Sequence, residues 1–356
     1  MAHYLLSAAT HLGHKLMPES SEELSGNATR SNSSLWKKKP DFFIVGAPKC
    51  GTTALAEYLG RHPDIYMPRK EMHFFGSDLK FGRNFYRRDV ETYLTEFNQW
   101  NGQARVGEAS VWYLFSERAA AEIKEFNPEA SIIILLRDPV SMLYSLYYQF
   151  LFDGNECLPT FEEALAAEAD RREGRRIGRL TYLVQALDYR STVSFSGQVR
   201  RYFDLFGRER VHVIIYDDLA ANTANAYAET LDFLGVASDS VDSPVGEATG
   251  SMTVVSPFLR AILNDPIVRG AAIGLRRCVP RPIFTAIKAT GLQICALNVR
   301  PIKRPSMLAD TRLALQREFA PEVERLSSLL GRDLTHWSKS ECAPAQSLAA
   351  SQSRLD

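Results

Sequence analysis

The sequence predicts a three-layer α/β fold, with a central, mostly parallel sheet flanked by helices. Short apolar runs recur at Phe42-Phe43-Ile44-Val45, Ile132-Ile133-Ile134-Leu135-Leu136 and Val211-His212-Val213-Ile214-Ile215. Each is followed by a turn and then by apolar residues at helical spacing, the alternation that parallel strands and crossover helices require. The 356 residues are 45% hydrophobic, ample for one large core.

The first strand, Phe42 to Val45, feeds a Gly-rich turn, and a helix is expected from Thr53 to Arg61, stopped by His62-Pro63. The second, Ile132 to Leu136, runs straight into Asp138-Pro139, an N-cap and first-turn pair that opens a helix through about Leu151. The third, Val211 to Ile215, precedes helical spacing from Thr223 to Leu234, and residues 309–330 form an amphipathic helix. Right-handed crossovers place the loops after these strands along one sheet edge, where ligands bind in such folds. Residues 18–39 are rich in Ser, Glu, Asn and Lys. The expected organisation is therefore a disordered leader over 1–40, one domain over 41–337 and a tail over 338–356, with a loop or lid at 236–256.

Lys plus Arg and Asp plus Glu balance at 42 each, so no global field points to nucleic acid. The five cysteines are scattered without a CxxC pair, which argues against a disulfide framework or zinc site and fits a reducing, cytoplasmic setting. No uncharged apolar stretch reaches the length of a membrane span, and Met1 to Met17 lacks the apolar core and cleavage site of a signal peptide. Asn27-Ala28-Thr29 and Asn32-Ser33-Ser34 then read as chance matches to the glycosylation pattern.

Between the first strand and its helix stands Gly46-Ala47-Pro48-Lys49-Cys50-Gly51-Thr52-Thr53. Two glycines let the backbone approach an anion, and the first amides of the helix point at it with the positive end of the dipole. Nucleotide triphosphatases carry GxxxxGK[ST] at such a place, their late lysine reaching the terminal phosphates and their hydroxyl holding Mg²⁺. Here Thr52 occupies the late-lysine position and the lysine comes early, as Lys49. This order resembles the 5′-phosphosulfate loop of the PAPS-dependent sulfotransferases, and later segments of the chain resemble the heparan-type and bacterial branch of that family. The resemblance implies a P-loop-like fold, PAPS as co-substrate with PAP as product, no metal, and donor contacts from Lys49, Cys50, Gly51, Thr52 and Thr53.

A second signature follows. In Leu135-Leu136-Arg137-Asp138-Pro139, Arg137 leaves the strand end, where its planar fork can pair with a phosphate dianion. Ser145 lies two helical turns after Asp138, on the same helix face, so an arginine and a hydroxyl can meet at one anion. The pair is similar to the family's 3′-phosphate motif. Members often complete that site with a late basic loop, for which Arg300, Lys303 and Arg304 are the candidates.

The acceptor's proton needs a base, and the leaving phosphate needs neutralising, a task suited to Lys49. Val106-Gly107-Glu108-Ala109-Ser110 with Tyr113-Leu114 resembles the segment that carries the catalytic glutamate in the heparan-type branch, which makes Glu108 the leading base. Ala109 and Val111 stand where those members commonly have Lys and Pro, which leaves the acceptor class open. The second candidate is His73, within Lys70-Glu71-Met72-His73-Phe74-Phe75, a block that also resembles the family and lies near its cleft. Lys70 and Glu71 help to shape the site.

From Pro266 to Arg304 there are eight Lys or Arg and no acid, a segment suited to the 3′-phosphate, an anionic or lipid-like acceptor, or peripheral membrane contact. The run Arg171, Arg172, Arg175, Arg176 and Arg179 reads as a solvated helix or loop near the acceptor mouth, with no assigned role. The predicted activity is sulfuryl transfer from PAPS to a hydroxyl or amine of a carbohydrate, lipid or secondary metabolite. The alternatives are a Mg²⁺-dependent phosphotransferase with a degenerate loop, and a PAP-binding protein without turnover. Acceptor identity and oligomeric state stay open.

Overall fold

A computed structural model describes residues 38–82, 89–237, 252–254, 299–301 and 304–339. Most of the expected leader and tail, most of the 236–256 loop, the basic segment up to residue 298 and Lys303 lie outside the described residues.

Five strands form one parallel sheet: β1 (Phe42–Gly46), β2 (Ile65–Tyr66), β3 (Arg105–Ala109), β4 (Ser131–Leu136) and β5 (Val211–Ile215), in the order β2-β3-β1-β4-β5. The helices include α1 (Thr52–Leu59), α2 (Val90–Thr95), α3 (Ala119–Phe126), α4 (Pro139–Asp153), α5 (Phe161–Ala166), α6 (Glu168–Arg172), α7 (Phe195–Phe206), α8 (Tyr216–Ala221), α9 (Thr223–Leu234) and α10 (Ala309–Leu330). Strand alternation assigns the layers. Phe43 meets Phe75, which meets Phe126 of α3, whereas Phe42 turns to the opposite face, where Gly107 leaves room for its ring and for Met67. A separate antiparallel pair joins β6 (Met252–Val254) to β7 (Val299–Pro301), with Thr253 opposite Arg300.

The connections from β1 lead toward β2 and β3, and those from β4 toward β5, on the other side. The crevice between the C-terminal ends of β1 and β4 is thus the topological switch point, where ligands bind in open α/β sheets. The Gly46–Gly51 loop and Arg137-Asp138 form its two lips.

The predicted central strands, α9 and α10 stand where the sequence placed them, with β1 extending one residue to Gly46 and β4 starting one residue earlier, at Ser131. Helix α1 ends two residues earlier than expected, at Leu59, with Gly60 as its cap. Helix α4 runs two residues past Leu151, to Asp153, where Gly154 adopts φ 79° as a left-handed C-cap. Its start is as read: Asp138 accepts from the amides of Val140 and Ser141 at 3.1 and 3.0 Å.

Arg171 corrects the reading of the arginine run. It is buried, and its Nη2 donates to both carboxylate oxygens of Glu156, at 2.6 and 2.8 Å. Glu156 also accepts from Tyr189 and from the amides of Cys157 and Leu158. Three more of the run are matched by nearby carboxylates: Arg172 by Asp188, Arg175 by Asp170 and Glu173, and Arg176 by Asp170.

Candidate functional site

The phosphate loop is held by the strand ends around it. The Ala47 amide donates to the Leu135 carbonyl at 2.7 Å, tying the β1 loop to β4. Gly51 has φ 92°, and a Cβ there would stand 2.8 Å from Leu219 Cδ2, so no side chain fits. Helix α1 opens directly after it with no acid in its first turn, leaving its N-terminal amides to the cleft. Cys50 is fully buried, its thiol pushed up to about 12 by that burial, and its Sγ lies 3.4 Å from the Pro48 carbonyl. Only its backbone amide can serve an anion. Of the hydroxyls, Thr52 is buried and Thr53 exposed.

Cations reach this loop from separate elements. Lys70, from the segment after β2, places Nζ 3.0 Å from Thr53 Oγ1 and 3.5 Å from Thr52 Oγ1. Lys49 Nζ donates to Gln149 Oε1 of α4 at 2.9 Å. Burial is the main reason that the Lys49 ammonium falls to about 8, with Arg304, Lys70 and Arg137 adding to the effect and Asp153 opposing it. Arg137 leaves β4 and lies over the Tyr216 ring, 4.4 Å from its centroid. Ser145, nearly fully buried, accepts from Arg304 Nη1 at 3.1 Å. Arg304 also covers the Tyr148 ring at 5.5 Å, while Tyr144 donates to the Pro305 carbonyl, docking the chain before α10 onto α4.

The structure thus gathers Lys49, Thr52, Thr53, Arg137, Ser145 and Arg304 around the crevice. Arg300 belongs to β7, and only its backbone is described. Among the described residues no three His, Cys, Asp or Glu side chains gather as a metal site, and no helix is long and apolar enough to cross a membrane.

Glu108 is fully buried. Its Oε1 accepts from Ser110 Oγ at 2.8 Å and Tyr113 OH at 2.7 Å, and its Oε2 from Tyr93 OH at 2.6 Å. Burial pushes its carboxyl up to about 7 even though these three hydroxyls favour the carboxylate. The same hydroxyls serve the neighbouring segment: Ser110 Oγ accepts from the His73 amide, and Tyr113 OH from the amides of Phe74 and Phe75. Glu108 therefore anchors the His73–Phe75 backbone as well as carrying a proton-accepting group of near-neutral affinity.

The His73 side chain is nearly buried. Its ring lies 4.5 Å from Phe81, and its Nε2 is 3.6 Å from Glu71 Oε2. Glu71 is itself held by Val111 N, at 3.2 Å from Oε2, and faces Lys70 across 3.6 Å. Lys49, Glu71 and His73 all have positive φ, at 64°, 61° and 50°. A non-glycine residue there costs about 1–3 kcal/mol, so three around one cleft mark a backbone forced into place by its surroundings.

Sequence reasoning missed Gln149, Tyr93 and Tyr216. The one usable signal was spacing: Gln149 comes one helical turn after Ser145.

The family model described as "Sulfotransferase domain" matches residues 39–251. A crystal structure of a sulfotransferase from Alicyclobacillus acidocaldarius is 32% identical, covers 85% of this chain and all of its own, and superposes with a TM-score of 0.61. Mouse carbohydrate sulfotransferase 15 is 27% identical over 271 residues, 61% of this chain and 46% of the relative. Human heparan sulfate glucosamine 3-O-sulfotransferase 3B1 is 32% identical over 146 residues, 41% of this chain and 35% of the relative. The chain spans less than half the length of either curated relative.

Proposed function

This chain belongs to the sulfotransferase family, and on that premise we propose that it moves a sulfuryl group from PAPS to an acceptor hydroxyl or amine. The observation that carries the reading is the convergence of Lys49, Lys70, Arg137 and Arg304 on one crevice beside a glycine loop and free helix amides. Such a site suits a nucleotide with anionic groups at two ends. Lys49 and the first amides of α1 take the 5′-phosphosulfate, and Arg137, Ser145 and Arg304 take the 3′-phosphate. An arginine at the end of β4, where a phosphotransferase wants a carboxylate to organise Mg²⁺, favours this donor over ATP.

In the proposed reaction the acceptor atom attacks sulfur and the bond from sulfur to the bridging oxygen breaks. PAP leaves with the electron pair while the acceptor proton passes to a base. Lys49 neutralises the leaving phosphate. Glu108 is the proposed base: a carboxyl near 7 is matched to proton transfer at neutral pH, and the acceptor reaches it by displacing one of its hydroxyl donors. The complete burial of Glu108 leaves room for a second assignment, His73 backed by Glu71, whose side chains keep 8% and 27% exposure. The relatives' names specify carbohydrate and heparan sulfate glucosamine, which favours a glycan acceptor.

The test is acceptor-dependent release of PAP from PAPS over a panel of glycans, phenols and amines. Glu108→Gln is expected to keep PAP affinity and lose turnover. Near-normal turnover in that variant, with loss in His73→Ala, would move the base to His73. PAPS left intact with every acceptor, beside Mg²⁺-dependent turnover of ATP, would refute the reaction.

A further inference from the structure

Helix α4 supplies a hydrogen-bond partner of the Lys49 ammonium. Lys49 Nζ donates to Gln149 Oε1, and Gln149 Nε2 donates to Asp153 Oδ2, each at 2.9 Å. An ammonium only donates and a carboxylate only accepts, so the amide has one orientation here: oxygen toward the lysine, nitrogen toward the aspartate. Ser145, Gln149 and Asp153 follow one another at four-residue intervals along α4 and share a face. The first receives Arg304 and the second Lys49, with Asp153 one turn further on.

The charges around Lys49 explain why such an arm is needed. Arg304 approaches from the chain before α10, Arg137 from the end of β4 and Lys70 from the segment after β2, and all three favour loss of its proton. Asp153 opposes them.

Resting on the donor reading above, we infer that Gln149 and Asp153 form a positioning arm for Lys49: the amide fixes the ammonium at one point of the cleft, and the carboxylate behind it keeps that ammonium charged among three other cations. Neither residue needs to touch the reacting atoms. They act through Lys49, the amide transmitting the carboxylate's field along a polarised chain of hydrogen bonds.

PAP is the probe, because a charged Lys49 attracts its 5′-phosphate whereas a neutral one does not. Calorimetry from about pH 6 to about pH 9.5 follows PAP affinity in the wild type and in Lys49→Ala, Asp153→Asn and Gln149→Leu. Wild-type affinity is expected to fall above about pH 8, as Lys49 loses its proton. Lys49→Ala removes that fall. Asp153→Asn, equal in shape and lacking the charge, brings the fall on earlier by on the order of one pH unit. Gln149→Leu, which cuts the link, shifts it the same way. Falls in both variants that coincide with the wild type, while Lys49→Ala abolishes it, would overturn the arm alone. Absence of PAP binding to the wild type at every pH would overturn the donor reading, and the arm with it.

Discussion

Replacing Glu108 by glutamine isolates the effect of burying a carboxyl in this fold. The side chain has no solvent exposure and sits among Tyr93, Tyr113 and Ser110, so its ionisation is penalised by lost hydration. Its carboxyl moves from an ordinary 4.5 to about 7. At about 1.4 kcal/mol per pH unit, this corresponds to ~3 kcal/mol. The sign follows from linkage. A carboxyl raised in the folded state favours folding while protonated, so its contribution is complete below 4.5 and lost as pH rises through about 7. Glutamine keeps the shape, its oxygen can accept from Ser110 and Tyr113, and the Tyr93 hydroxyl can turn to accept from its nitrogen. Urea unfolding at about pH 4.5 and about pH 8.5 should therefore show Glu108→Gln gaining ~3 kcal/mol on the wild type between the two pH values. A difference that stays flat within about 0.5 kcal/mol would refute the burial argument and, with it, the basis for Glu108 as a base poised near neutrality.

Other consequences follow from named contacts. Glu156→Gln leaves the buried Arg171 guanidinium without its counter-charge and should cost about 3–5 kcal/mol in unfolding free energy, measured by chemical denaturation. Gly51→Ala forces a Cβ to within 2.8 Å of Leu219 at φ 92°, so PAP binding should be lost with the loop's shape even where far-UV circular dichroism is unchanged. Lys70→Ala removes the ammonium beside Thr52 and Thr53 and should lower turnover on the order of 10²-fold, with Lys70→Arg recovering part of it.

The central strands and the helices after them were legible because their burial on both faces demands continuous apolar runs, as in Ile132–Leu136, and because Asp138-Pro139 states its cap outright. Strand β3 was hidden for the opposite reason. Arg105-Val106-Gly107-Glu108-Ala109 has no apolar run, since Gly107 must make room for Phe42 and Met67, and Glu108 is accommodated by hydroxyls from Ser110, Tyr113 and distant Tyr93. Short β2 offers only Ile65-Tyr66. Local charge misled at Arg171, because the carboxylate that buries it, Glu156, comes from the turn after α4. Of the candidate site, the positions of Lys49 and Arg137 after strand ends and of Ser145 on the following helix were readable from spacing. The bonds from Lys49 to Gln149 and from Lys70 to the threonines were not, because each spans two elements whose approach only the fold determines.

The most direct test of the central claim is calorimetric titration of the wild type and Arg137→Ala with PAP and with ATP plus Mg²⁺. A PAP-binding isotherm that needs no metal and is abolished by Arg137→Ala is predicted. Binding of ATP with Mg²⁺ but not of PAP would contradict the account.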